Sequence, residues 1–159
     1  ARLSPGFVVE KKRNKGRNKM NVVLDTNFIL DVYFFKNKTA VSLFNQLEKA
    51  GANFYRSSAT FDELEHVLDR EEFSTGTASQ AEILDSWSVA SINFESPLPS
   101  ALKCRDPLDQ KFIDLAGSVA PSYLISKDKD ILRLRRKASK LRMKFRRPDE
   151  FTTICKLSD

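Results

Sequence analysis

Acidic residues gather where one predicted element gives way to the next. Asp25 closes the apolar run Asn21-Val-Val-Leu24, and Asp62, Glu63 and Glu65 open a helix. Asp106 and Asp109 start another, and Asp128 and Asp130 follow the run Tyr123-Leu-Ile-Ser126. Carboxylates converging on one point repel and raise one another's pKa unless a divalent cation neutralises them. Hard oxygen ligands select Mg2+ or Mn2+. Such an ion acidifies a water and stabilises charge developing on phosphate, which is what phosphodiester hydrolysis requires. The chain holds one histidine, His66, on the side of its helix opposite the apolar face. A two-histidine mechanism is therefore excluded, and a Cys–His or Ser–His hydrolase is disfavoured. The five glycines form no phosphate-cradling loop.

Each acid also has a structural use that competes with a metal. Asp106 before Pro107 suits a helix N-cap, and Asp109, three residues on, suits the first turn through capping and the helix dipole. Asp128 can cap the following helix, and Asp130 can complement its dipole. Glu63 and Glu65 sit symmetrically about the apolar face of Leu64, Val67 and Leu68, so periodicity does not choose between them. Asp25 ends a short apolar strand with no solvated face to account for it, and burial of an unpaired carboxylate is rare.

The elements that position these acids alternate. Strands are expected at 20–24, 53–56, 89–94, 123–126 and 143–146. Helices are expected from Asn27 to Tyr33, over 39–50 with Gly51 as its stop, from Ser57–Thr60 to Arg70, over 78–88, from Asp106-Pro107 to Val119, over 129–142 as one strongly basic helix, and from Pro148 to Lys156. Such alternation implies an α/β fold around a mostly parallel sheet, whose ligands collect beyond the carboxyl ends of the strands.

With 159 residues, 41% of them hydrophobic and 30% charged, the composition supports one folded domain and excludes disordered and collagen-like classes. No apolar run is long enough to cross a bilayer and no signal peptide is recognisable, so a cytoplasmic protein is expected. Cys104 and Cys155 are expected as free thiols. The net charge of +6 is unevenly spread. Residues 21–126 hold 15 acidic against 8 basic side chains, whereas 127–147 hold 11 basic against 2 acidic. An acidic body adjoins a basic strip, in which Arg133, Arg136 and Lys140 are candidates for contacting nucleic-acid phosphates. Residues 1–19 are read as a basic N-terminal extension, native or extraneous, and 20–159 as the functional domain.

Taken in order, Val23-Leu-Asp-Thr-Asn27, Asp62-Glu-Leu64, Arg105-Asp-Pro-Leu-Asp-Gln-Lys-Phe112 and Leu124-Ile-Ser-Lys-Asp-Lys-Asp130 resemble the PIN-domain family, most closely its toxin branch akin to the VapC ribonuclease toxins. The resemblance spans about residues 20–155. It implies a three-layer α/β/α fold with a mostly parallel central sheet, and a Mg2+- or Mn2+-dependent endoribonuclease. It also implies an RNA substrate, an antitoxin partner and a homodimer. It places the catalytic and metal-binding set on Asp25, Glu63, Asp109 and Asp128, choosing Glu63 over Glu65. Asp109 is preferred to Asp106 because the small Ala116 follows about two turns later. Asn27, Asp106 and Asp130 are accessory positions. A haloacid-dehalogenase phosphatase is set aside, because its second aspartate would fall where Asn27 stands. The competing reading is a non-catalytic PIN-like module that binds RNA or protein.

Overall fold

The computed structural model describes residues 20–76 and 78–150. Five strands, β1 (Asn21–Leu24), β2 (Asn53–Arg56), β3 (Ser91–Asn93), β4 (Ser122–Ile125) and β5 (Met143–Arg146), form one sheet in the order β3-β2-β1-β4-β5. Every pairing is parallel. The sheet grows from β1 to β3 in one direction, then returns to lay β4 and β5 on the other side of β1. Because crossovers between parallel strands are right-handed, this reversal moves the connecting helices to the opposite face.

Burial follows that rule. Val22 and Leu24 of β1 enter one core with Phe28, Ile29, Leu30, Leu43, Phe44, Leu47, Leu64 and Trp87. These come from α1 (Thr26–Tyr33), α2 (Lys38–Lys49), α3 (Ser58–Leu68) and α4 (Gln80–Ala90). Val23, between them in the strand, enters a second core with Phe112, Ile113, Leu115, Ile131, Ala138 and Phe145. That core is covered by α5 (Gln110–Ser118), α6 (Lys129–Leu132) and α7 (Arg135–Lys140). The result is the three-layer α/β/α arrangement. Apolar burial on both faces is why the central strands β1 and β4 end in apolar runs, whereas the edge strand β5, Met143-Lys-Phe-Arg146, alternates in burial.

Local chemistry sets the helix boundaries. Asn37 and Ser79 cap α2 and α4, and Ser57 and Thr60 close a reciprocal cap on α3. Gly51, at φ 85°, ends α2, with the Ala52 N–H reaching back to the Leu47 carbonyl. Three expectations need revision. The helix expected from Asp106 begins as a 3-10 turn over Pro107–Asp109, with α5 proper starting at Gln110. The single basic helix over 129–142 is broken at Arg133–Leu134 into α6 and α7, each of which buries one residue, Ile131 and Ala138, in the second core. The third strand is shorter than expected, because α4 runs on to Ala90. The closing helix and Cys155 extend into residues outside those described, as does the extension 1–19; Cys104 is a half-buried free thiol. No described helix is long and apolar enough to cross a membrane.

Candidate active site

The sheet reverses direction between β1 and β4, and the crevice beyond their carboxyl ends is where an open parallel sheet binds ligands. Asp25 stands directly after β1, and Ser126, Lys127 and Asp128 directly after β4. In-register pairing of Leu24 with Ile125 sets the two ends level. Ser126 connects them: its hydroxyl donates to Asp25 Oδ2 at 2.6 Å and accepts from the Asp128 N–H at 3.0 Å.

Asp25 is 7% exposed. Its Oδ1 accepts from the Phe28 N–H at 2.9 Å, so the same carboxylate caps α1. Burial nevertheless pushes its pKa up to about 6, against the two hydrogen bonds that lower it, with Asp128 and Asp31 adding repulsion.

Asp109 sits at the junction of the 3-10 turn and α5 and makes no capping hydrogen bond. Its Oδ2 is buried with no hydrogen-bond partner. Desolvation first, and then the facing Asp128 carboxyl, push its pKa up to about 7, with Asp106 and Asp25 contributing. Asp128 caps α6 through the Asp130 N–H at 2.8 Å. Two carboxylates can hydrogen-bond only by sharing a proton; once both are ionised, neither offers a donor.

Glu63, on α3, is tied to α1 and α5 by its partners. Its Oε2 accepts from Thr26 Oγ1 at 2.5 Å and its Oε1 pairs with Lys111 Nζ at 2.6 Å. Glu65 is exposed, as is His66. Asp106 accepts from the Leu108 N–H at 3.0 Å and so serves as a cap. Asn27 is exposed on the rim of a cavity of about 440 Å³ whose walls include Asp25, Asp128, Arg70 and Phe35. Asp130 is half-buried beside Asp128. Arg133, Arg136 and Lys140 are exposed on and between α6 and α7.

These side chains suit a hard cation in two respects. The donors are all carboxylate oxygens, and one of them, Asp109 Oδ2, is buried without compensation. Among the described residues, however, no three acidic, histidine or cysteine side chains converge closely enough to enclose a metal as they stand. An ion would have to draw Asp25, Asp109 and Asp128 together. Sequence reasoning missed Thr26, Ser126 and Lys111, all of which hold these acids in place. Lys111 carried a signal, as the one basic residue between Asp106 and Ser126, two positions after Asp109.

Comparison with known proteins agrees with this architecture. One chain of the crystal structure of VapBC2 from Rickettsia felis, bound to a DNA fragment from their promoter, superposes with a TM-score of 0.58 at 13% identity. The match covers 80% of this chain and 98% of that one, and at this identity it establishes the fold alone. No curated protein gives a significant match. The family model for the PIN domain matches residues 21–130, from the first strand through the last of the candidate acids, and the chain therefore belongs to the PIN-domain family.

Proposed function

We propose that the chain is a Mg2+- or Mn2+-dependent endoribonuclease, the toxin of a toxin–antitoxin pair. One observation carries the enzymatic reading: Asp109 faces Asp128 with a buried, unpartnered oxygen, next to Asp25, at the point where the sheet reverses. A structural capping role would have satisfied that oxygen, as it does for Asp106. Asp25, Asp109 and Asp128 are the residues to hold the ion. The chemistry supplied by Mg2+ or Mn2+, when bound, is acidification of a water and neutralisation of charge at the phosphate.

The chain's own contribution is placement and repulsion. Ser126 holds the Asp25 carboxylate through its hydroxyl and the Asp128 backbone through that residue's N–H, which fixes the two strand ends that carry the acids. Thr26 and Lys111 hold Glu63 at the edge of the same centre. Arg133, Arg136 and Lys140 supply exposed cations that draw RNA toward an otherwise acidic body. Antitoxin binding and homodimerisation belong to the same reading, supported by the fold shared with VapBC2.

The test is cleavage of a mixed RNA pool with and without Mg2+ or Mn2+, wild type against Asp25→Asn. Metal-dependent fragments from the wild type alone are expected. Full activity in the folded variant would reject the assignment, and an inactive wild type that still retains RNA on a filter would favour the non-catalytic module.

A further inference from the structure

Among the described residues, one ion pair reaches a candidate site acid, and it is Glu63 with Lys111. The two side chains are only 24% and 22% exposed, so solvent screens them less than a surface pair. Lys111 Nζ also donates to the Leu108 carbonyl at 2.6 Å, which anchors the ammonium on the turn leading into α5. With Thr26 on its second oxygen, Glu63 has its charge compensated and both oxygens engaged. Asp109 presents the opposite condition, an unpartnered buried oxygen opposite a second carboxylate. Asp109 and Asp128, beside Asp25, are thus an open pair, and Glu63, joined to Thr26 next to Asp25 and to Lys111 two residues after Asp109, is a closed acid.

We infer that Lys111 is the resident second cation of this centre, so that its acids take up one divalent ion, at Asp109 and Asp128, and not two. The inference rests on the metal-dependent reading above. Two-ion phosphodiester sites place their cations about 3.5–4 Å apart and need carboxylates free on both sides. Here the far side holds a fixed monovalent ammonium, which repels a second ion and occupies the acid that would bind it. Removing that ammonium leaves Glu63 uncompensated and the second position open.

The measurement is Mn2+ alone bound to the full chain, by calorimetric titration and by the loss of the free-ion electron paramagnetic resonance signal, with thermal melts to establish that each variant is folded. The wild type should bind one Mn2+. Lys111→Gln and Lys111→Met should each bind two, and Lys111→Arg, which keeps the charge, should remain at one. Asp109→Asn should lose the wild-type ion. A wild type that binds two ions, or neutral Lys111 variants that stay at one, would overturn the inference and leave the metal-dependent reading standing. A wild type that binds none, or an Asp109→Asn variant that binds Mn2+ as tightly as wild type, overturns that reading and the inference with it.

Discussion

Asp25 pairs a helix cap with a buried charge. Its carboxylate accepts from Phe28 and Ser126, yet desolvation still outweighs both bonds and holds its pKa near 6. Asp109 is raised further, to about 7. In both cases the native state binds protons that the unfolded chain, titrating near 4, has already released. Stability is therefore greatest below about pH 4 for these groups and declines as pH rises through 6 and 7. For Asp25 alone the loss amounts to up to about 3 kcal/mol. Glu150 has the opposite sign, since the Arg135 guanidinium lowers its pKa, so its contribution is lost only at more acid pH. In a chelator, the melting temperature should fall from pH 5 to pH 8, Mn2+ should flatten the slope, and Asp25→Asn should reduce it. A flat wild-type profile over that range would contradict the electrostatics described for the pair. Ser126→Ala, which leaves Asp25 Oδ2 without its donor, should cost about 1–3 kcal/mol by urea denaturation and reduce RNA cleavage while Mn2+ still binds.

The elements decide which of these acids can meet. The positions of β1 and β4 and the starts of most helices were legible from apolar runs, caps and the Gly51 stop, because those signals are local. The assembly of Asp25 with Asp128 was legible too, because a parallel sheet puts both at strand carboxyl ends. Side-chain pairing was not. Nothing in the spacing of Thr26 and Lys111 says that both reach Glu63 across 37 and 48 residues of chain. Nor did the uninterrupted basic pattern over 129–142 reveal the break at Arg133–Leu134, which no glycine or proline marks. The helix carrying Glu63 depends on its own start, where Ser57 is buried and exchanges hydrogen bonds with Thr60. Ser57→Ala should cost about 1–2 kcal/mol in urea unfolding with an unchanged denaturant slope. An unaltered midpoint would mean that packing of α3, anchored by the fully buried Leu64, suffices without the cap.

At the scale of the whole molecule, the basic strip is not one uniform face. Its Arg135 is held in a two-bonded pair with Glu150 at 3.0 Å, and Arg147 pairs with Asp149. Arg133, Arg136 and Lys140 are exposed and make no ion pair among the described residues. Because β4 and β5 are parallel, α6 and α7 must carry the chain from the carboxyl end of one to the amino end of the other. Arg133 therefore lies one turn beyond Asp128, where its N–H meets the Lys129 carbonyl, whereas Lys140 lies near Arg142 at the opposite edge of the sheet. On the proposed reading, RNA seated on the acids would meet Arg133 first and Lys140 last. Binding of single-stranded RNA by Asp25→Asn, measured against salt, should weaken for Arg133→Ala, less for Arg136→Ala and least for Lys140→Ala. Together the three should reduce the slope of log affinity on log salt by up to about 2, at roughly 0.7 per phosphate contact. Arg135→Ala should lower the melting temperature through loss of Glu150 and leave that slope nearly unchanged. An unchanged slope in the triple variant would remove the strip from the RNA-binding surface. A reversed ranking, with Lys140 dominant, would place the RNA on the amino-terminal edge of the sheet, away from Asp25 and Asp128.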